Sequence, residues 1–130
     1  MFDLRKEIPS LELCKRLKEL GFPQDSGGWY WVKFADRDRW RVMYDGIIDY
    51  EQVEEVIKAP TVRELGEWLP DEFVSGRVGE NNIVCFNLEL DPAVRSMFPT
   101  MNADTEANAR AKVLIWLVEN KYVDFERSSG

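Results

Sequence analysis

The clearest hydrophobic pattern in the chain lies in Ala103–Asn120 and predicts a long helix. Its apolar residues recur at helical spacing and line one face: Ala107, Ala111, Leu114, Leu117 and Val118. Either Asp104 or Thr105 is suited to cap the start of this helix. Because a helix with one apolar face needs a surface to cover, we expect it to pack on a β-sheet.

Two shorter helices are predicted from their capping residues. Ser10 is suited to cap a helix at Leu11–Leu20, and Gly21 is suited to end it. A further helix is predicted at Thr61–Leu69, where Thr61 and Glu64 have the spacing of a capping box.

Runs rich in aromatic and β-branched residues predict two β-hairpins. The first joins Trp29–Phe34 to Arg39–Tyr44 across a polar turn, and the second joins Phe73–Val78 to Ile83–Leu90. The intervening residues 47–58 permit two interpretations. Tyr50, Val53 and Ile57 fit a helical stripe, whereas residues 47–50 or 53–57 equally fit short extended segments.

The register of the first hairpin stays open at this point, and it decides which side chains share a face. With a four-residue loop, one face is strongly apolar and consists of Trp29, Trp31, Trp40, Val42 and Tyr44. With a loop of three or five residues, Trp29 and Trp31 instead share a face with Lys33, Arg39 and Arg41.

These elements predict one α+β domain over residues 1–125, followed by a frayed C-terminal tail at residues 126–130. We expect an antiparallel sheet built from the two hairpins, with three helices packed mainly on one face. The length of 130 residues and the hydrophobic content of 45% fit a single domain with its own core.

Charge is distributed unevenly along the chain. Between Asp45 and Glu72, nine acidic residues are opposed only by Lys58 and Arg63, so this segment accounts for the whole formal net charge of −7. Nucleic-acid binding is disfavoured by this balance, because phosphate contacts need Lys and Arg. The acidic segment 45–72 is, however, the kind of surface that a nucleic-acid mimic presents.

Candidate chemistry is sparse. The chain has no histidine, which removes the commonest general base and the commonest metal ligand. Asp36-Arg37-Asp38 begins like a calcium loop, but Arg41 stands where that loop needs glycine. We therefore predict no cofactor, no metal site and no enzymatic activity. Carboxylate pairs such as Glu54–Glu55 leave an acid–base enzyme as an alternative.

The two cysteines, Cys14 and Cys85, are predicted to be buried thiols in a reducing compartment. No apolar run approaches the roughly 20 residues of a membrane span, and the N-terminus lacks the apolar segment of a secretory signal. These features predict a cytoplasmic protein with no membrane partner.

A basic strip on the first hairpin supplies the candidate partner-binding residues, which are Trp31, Lys33, Arg37, Arg39 and Arg41. In the odd-loop register Trp29 and Trp31 stand beside the cations, an arrangement suited to stacking bases or binding an anionic partner. In the alternative interpretation the tryptophans belong to the core and the arginines extend from the sheet edge.

Several segments of the chain together form a recognisable pattern: Leu17–Phe22, Tyr30-Trp31, Ala59-Pro60-Thr61 with Glu64-Leu65 and Trp68-Leu69-Pro70, and Ala103–Asn120. In that order they resemble a family of small uncharacterised proteins encoded by bacteriophages and mobile elements. The resemblance implies a bacterial cytoplasm and a mobile-element setting. It implies no activity, cofactor or catalytic residue, and the strip at Arg37–Arg41 is not part of it.

The expected function is that of a non-enzymatic accessory protein that binds another protein of the host or the phage. The alternative is a nucleic-acid-directed role. That role uses either Arg37, Arg39 and Arg41 with Trp29 and Trp31, or acidic mimicry by the segment 45–72.

Overall fold

Helices and antiparallel strands make up the computed structural model, which describes residues 4–69, 73–78, 82–87, 101–121 and 123–125. The helices are α1 (Leu4–Glu7), α2 (Leu11–Glu19), α3 (Val62–Trp68) and α4 (Glu106–Glu119). The strands are β1 (Trp29–Phe34), β2 (Trp40–Tyr44), β3 (Val53–Lys58), β4 (Phe73–Val78), β5 (Asn82–Asn87) and β6 (Met101–Ala103). The predicted α+β class is confirmed.

The described strands form two antiparallel sheets and not the single sheet that the sequence predicts. The first sheet has the order β2-β1-β3 and the second has the order β4-β5-β6. The burial of α4 supplies the physical reason. This helix contacts β5 and β6 and also packs against α2 and α3, so it needs cover on several sides, which one sheet does not provide.

Helix α4 is buried over a broader arc than its apolar stripe predicts. The buried residues are Ala107, Ala109, Ala111, Val113, Leu114, Ile115 and Leu117, whereas Val118 is only partly buried. The least buried side carries Asn108, Lys112, Trp116 and Glu119. The small alanine side chains allow neighbouring elements to approach the helix closely. The main core therefore surrounds this helix, with contributions from Leu17, Leu65 and Phe125.

The ends of α2 form as its sequence predicts. The Oγ of Ser10 accepts a hydrogen bond from the Leu13 amide at 3.4 Å. At the other end the Phe22 amide donates to the Leu17 carbonyl at 2.9 Å, and the Gly21 amide donates to Lys18 at 3.0 Å. This is a Schellman motif, which needs a left-handed residue, and Gly21 has φ +102°.

The start of α3 also forms as predicted. The Oγ1 of Thr61 accepts from the Glu64 amide at 3.2 Å, and the Oε1 of Glu64 accepts from the Thr61 amide at 3.1 Å. Both halves of the capping box are therefore present.

The ambiguous segment 47–58 is extended in its second half. Short 3₁₀ helices at Asp45–Ile47 and Tyr50–Gln52 precede β3. The carboxylate of Asp49 accepts from the Glu51 amide at 3.2 Å, so it caps a single 3₁₀ turn. An α-helix in this segment is therefore not formed, and β3 pairs with β1.

Helix α1 and strand β6 were not predicted from the sequence. Both are too short to show a periodic pattern, with four and three residues respectively. Several predicted features lie outside the described residues: most of the connection between Val78 and Ile83, the end of the second hairpin at 88–90, and the tail at 126–130. Among the described helices, none combines the length and apolar character needed to cross a membrane.

Candidate functional site

The register of the first hairpin decides the chemistry of its two faces. Trp31 lies opposite Val42, and Lys33 lies opposite Trp40, which is the register of the four-residue loop. Cross-strand partners share a face, so the apolar face predicted for this register is the one that forms. Trp29, Trp31, Trp40 and Val42 are partly buried and pack against a core cluster that includes Ile8, Cys14 and Ile57.

Tyr44, the last member of the predicted apolar face, is exposed rather than buried. Its exposed fraction is 50%, because it stands at the end of β2. Its ring packs against Trp29 in an edge-to-face arrangement, with a centroid separation of 5.3 Å.

The structure does not bring the five predicted partner-binding residues onto one surface. Trp31 and Lys33 lie on the apolar face, while Arg41, opposite Val32, lies on the other. Alternation places Arg39 on the same face as Arg41, and Arg37 is exposed in the turn. A stacking platform with Trp29 and Trp31 beside Arg39 and Arg41 is therefore not formed.

The two members of the strip that lie on the apolar face of the hairpin, Trp31 and Lys33, form contacts within the protein. The indole N–H of Trp31 donates to the Pro9 carbonyl at 3.3 Å. The Nζ of Lys33 lies 3.0 Å from the carboxylate of Glu54, and this pairing raises the pKa of Lys33. These contacts leave Arg37, Arg39 and Arg41 as the exposed cations of the hairpin.

A cleft of about 730 Å³ opens on the apolar face of the hairpin. Its apolar lining consists of Leu4, Ile8, Pro9, Trp31, Trp40 and Val42. Its polar lining consists of Ser10, Asp104, Thr105 and Asn108. Clefts of roughly 300–1,000 Å³ with mostly apolar walls and a few polar groups are typical ligand sites. This cleft is therefore the candidate functional site.

Side-chain contacts hold the tryptophans of the cleft in place. Trp31 is fixed through its hydrogen bond to Pro9. The Nζ of Lys15 lies 5.2 Å from the ring centroid of Trp40, a distance at which a cation–π contact is favourable. The cleft thus has ordered aromatic walls before a ligand binds.

Asn108 joins the polar end of the cleft to both neighbouring helices. Its Oδ1 accepts a hydrogen bond from the Ser10 amide at 2.8 Å, and its Nδ2 donates to Asp104 at 2.8 Å. The Asn108 amide donates to the Oγ1 of Thr105 at 3.1 Å, which caps α4. The starts of α2 and α4, 98 residues apart, are connected through this one side chain.

We expect Asn108→Ala to lower the free energy of unfolding by about 1–2 kcal/mol, because it removes the hydrogen bond to the distant Ser10 amide and the local one to Asp104. Chemical denaturation in urea measures this change. Asp104→Ala is the matched control: it removes only the contact within α4 and its cap, so a smaller loss is expected. Equal losses for the two variants would show that the contact from Asn108 to Ser10 contributes nothing.

Cys14 lies behind the cleft wall as a buried, free thiol, as the sequence predicts. Its Sγ lies 3.6 Å from the Pro9 carbonyl. Burial raises the pKa of this thiol to about 12, and the Trp31 indole and the charge of Lys58 oppose the rise to a smaller extent. The side chain of Cys85 lies outside the described part of the chain.

Alkylation of Cys14 by iodoacetamide is expected to be negligible in the folded protein at pH 8 and rapid in denaturant. The thiolate is the reactive form, and a pKa of about 12 keeps the thiol protonated until the pH approaches that value. Mass spectrometry of a Cys85→Ser variant isolates the reaction at Cys14. Modification of the native protein at the rate of a free thiol would contradict this burial.

A second cluster of polar groups centres on Lys58. This residue is 1% exposed, and its Nζ lies 2.9 Å from Oε2 of Glu64. The same Nζ donates to the Gly27 carbonyl and lies 5.3 Å from the ring centroid of Tyr30. The ammonium is thus fully partnered, and we assign it a role in holding the 27–28 turn against α3.

The burial of Lys58 also changes the surface of the acidic segment 45–72. Its charge is confined to the interior with Glu64, while Asp49, Glu51, Glu55 and Glu67 are exposed. Asp71 and Glu72 lie outside the described residues. Acidic mimicry of nucleic acid stays a prediction.

One wall of the cleft could be anticipated from sequence and the other could not. The alternation of Trp40 and Val42 predicts an apolar strand face. The opposite wall comes from α1 and from the start of α4, and the sequence gives no signal that Leu4 and Asn108 meet.

Comparisons of the chain with models of known protein families, with curated proteins and with solved structures find no match. The resemblance to bacteriophage and mobile-element proteins therefore stays a prediction, and the function is inferred from the geometry of the cleft.

Proposed function

We propose that this chain is a non-enzymatic protein-binding module and that the cleft beside Trp31, Trp40 and Val42 is its recognition surface. The observation that carries the proposal is the composition of the cleft: six apolar residues, two of them tryptophans, with polar groups gathered at one end. Aromatic anchors in a preformed concavity are the usual centre of binding energy in protein interfaces.

The arrangement of the helices supports this role. Two helical segments pack against the apolar face of the hairpin on the cleft side of the first sheet. They contribute Leu4 and Ile8 at α1, and Leu11 and Cys14 in α2. We also propose that the helices lie mainly on the cleft side of the first sheet and that the strands derive from two hairpins. A helical wall opposite a strand wall gives a groove with two apolar sides.

Direct nucleic-acid binding is a weaker interpretation of this geometry. It needs aromatic rings exposed next to cations, as in proteins that stack bases. Trp29 and Trp31 are partly buried, and Arg39 and Arg41 lie on the opposite face. The net charge of −7 opposes it further.

Site-specific photo-crosslinking tests the proposal. A benzophenone amino acid replaces Trp40 in one variant and Ile47 in the other, and each is irradiated in a bacterial host extract. Ile47 is a large exposed apolar residue outside the cleft lining, so it is the matched control.

We expect a discrete crosslinked protein from position 40 and none from position 47. Thermal melts confirm that both variants are folded before irradiation. The same products from both positions, or products from position 47 alone, would contradict the cleft as the recognition surface.

A further inference from the structure

We propose that the outer edge of β2 accepts an extended segment of the partner as an additional strand, and that apolar and acidic residues alternate in this segment. The inference rests on the proposed function, since it specifies the chemistry of the protein bound at the cleft. Strand addition to a sheet edge is an established mode of peptide recognition.

The hydrogen-bond pattern shows which backbone groups of β2 point outward. The Asp45 amide donates to the Gly28 carbonyl at 2.8 Å, so these residues form a hydrogen-bonded antiparallel pair. Such pairs recur at every second residue, which assigns Arg41 and Met43 to the ladder with β1. The N–H and C=O groups of Trp40, Val42 and Tyr44 therefore face away from β1.

The hydrogen bonds between β1 and β3, its neighbour on the side away from β2, agree with this assignment. The Ala59 amide donates to the Trp29 carbonyl at 2.9 Å, and Trp31 lies opposite Ile57 of β3. Odd-numbered residues of β1 thus bond to β3, which leaves its even-numbered residues for β2. The hydrogen bonds of β1 with β2 and those with β3 therefore agree on which residues of each strand point toward β1.

The two edges of the first sheet differ in whether their outward backbone groups accept or donate hydrogen bonds within the protein. On β3, side chains occupy outward backbone groups: the Lys58 amide donates to Oε1 of Gln24 at 2.9 Å, and the Nζ of Lys18 donates to the Val56 carbonyl at 3.1 Å. On β2, no described residue hydrogen-bonds to an outward group, and no described strand pairs with that edge. The β2 edge is thus the open one within the described part of the chain.

Side chains on β2 determine which residues the added strand carries on its cleft side. Trp40 and Val42 line the cleft from β2 itself. A strand added at the usual spacing of about 4.8 Å places every second side chain next to these two residues. Those positions suit apolar side chains, because they enter a cleft with mostly apolar walls.

The other face of the same edge favours acidic side chains at the remaining positions. Arg39 and Arg41 are both exposed and two residues apart, so they lie on one face. Neither forms an ion pair with another described residue. A second copy of this chain is a poorer occupant, because antiparallel pairing of two β2 edges would bring the exposed Arg39 and Arg41 of both copies close together on one face.

Three labelled octapeptides test the inference by fluorescence anisotropy. The first alternates Glu and Val, and the second alternates Lys and Val. The third repeats the Glu–Val sequence with N-methyl groups on alternate amides, which removes the donors needed for strand pairing. We expect the first peptide to bind at least about ten-fold more tightly than either of the others, as two added ion pairs or lost backbone hydrogen bonds require.

A charge-reversed variant, Arg39→Glu with Arg41→Glu, supplies the matched protein control. We expect this variant to lose affinity for the Glu–Val peptide and to gain affinity for the Lys–Val peptide. A folding defect does not produce such a reversal of preference. Sedimentation of the free protein separates peptide binding from self-association through the same edge.

Equal binding of the N-methylated peptide, an unchanged preference in the charge-reversed variant, or a dimer that dissociates on peptide addition would each overturn the inference. So would the absence of binding by all three peptides. If crosslinking from position 40 still succeeds, the cleft binds a protein by another mode, and the proposed function survives the failure of this inference.

Discussion

Glu64→Gln is expected to lower the free energy of unfolding by about 3 kcal/mol, the lower end of the cost of breaking a buried ion pair. The substitution leaves the Lys58 ammonium in the interior without its counter-charge. The lower end applies because the side chain of Glu64 is 30% exposed, so water screens part of the interaction.

The choice of glutamine separates the ion pair from the helix cap. A glutamine amide oxygen can still accept from the Thr61 amide, so the capping box is retained. The loss therefore reports on Lys58, whose remaining partners are the Gly27 carbonyl and the face of the Tyr30 ring.

Denaturation by urea measures the effect, and a double-mutant cycle with Lys58→Met gives its control. Methionine fills much of the same volume without charge, so the double variant is expected to be more stable than Glu64→Gln alone. A loss of less than about 0.5 kcal/mol for Glu64→Gln, the range of ordinary surface changes, would contradict a buried pair at this position.

Gly28→Ala is expected to cost about 2–4 kcal/mol for two separate reasons, backbone conformation and displacement of the ammonium. Gly28 has φ +87°, a conformation that side chains disfavour. A Cβ there would also lie 2.8 Å from the Nζ of Lys58. Although Nζ ends a flexible side chain, it is buried and held by Glu64 and Gly27, so moving it breaks those contacts.

The neighbouring Gly27→Ala variant is the matched control. Gly27 has φ +79°, but nothing lies within 4 Å of a Cβ at that position. We expect it to cost about 1–2 kcal/mol, the backbone contribution alone. Thermal and urea unfolding of the two variants compare them directly, and equal losses would show that Lys58 does not contact Gly28.

Local signals account for what the sequence predicts well. The caps at Ser10 and Thr61 depend on hydrogen bonds across three residues, and both form. Of the two alternatives predicted for α4, Asp104 and Thr105, it is Thr105 that caps the helix. The end of α2 at Gly21 likewise follows from one residue and its φ.

The hairpin register and the cleft depend on contacts between distant residues, so short sequence patterns do not predict them. The hairpin register depends on what covers each face, and Trp31, Trp40 and Val42 pack against a cluster from distant segments that includes Ile8 and Cys14. The sequence allowed either loop length. The cleft depends on the contact between Ser10 and Asn108, which no short pattern encodes.

The single predicted sheet fails for a related reason. The stripe at Ala107, Ala111 and Leu114 indicates one apolar face, but Ala109 and Val113 are buried as well. Ala109 and Val113 are small or β-branched, so the second buried face of α4 shows a weaker hydrophobic periodicity in the sequence. Helix α4 is covered by α2 and α3 as well as by β5 and β6, and the described strands divide into two sheets.

Residue-resolved amide hydrogen exchange along β2, measured by NMR in the free protein and with the Glu–Val peptide, tests the open strand edge directly. We expect slow exchange at Arg41 and Met43 and fast exchange at Trp40, Val42 and Tyr44. Bound peptide should then slow the second group. The opposite alternation, or uniform protection of all five amides in the free protein, would contradict an open strand edge beside the cleft.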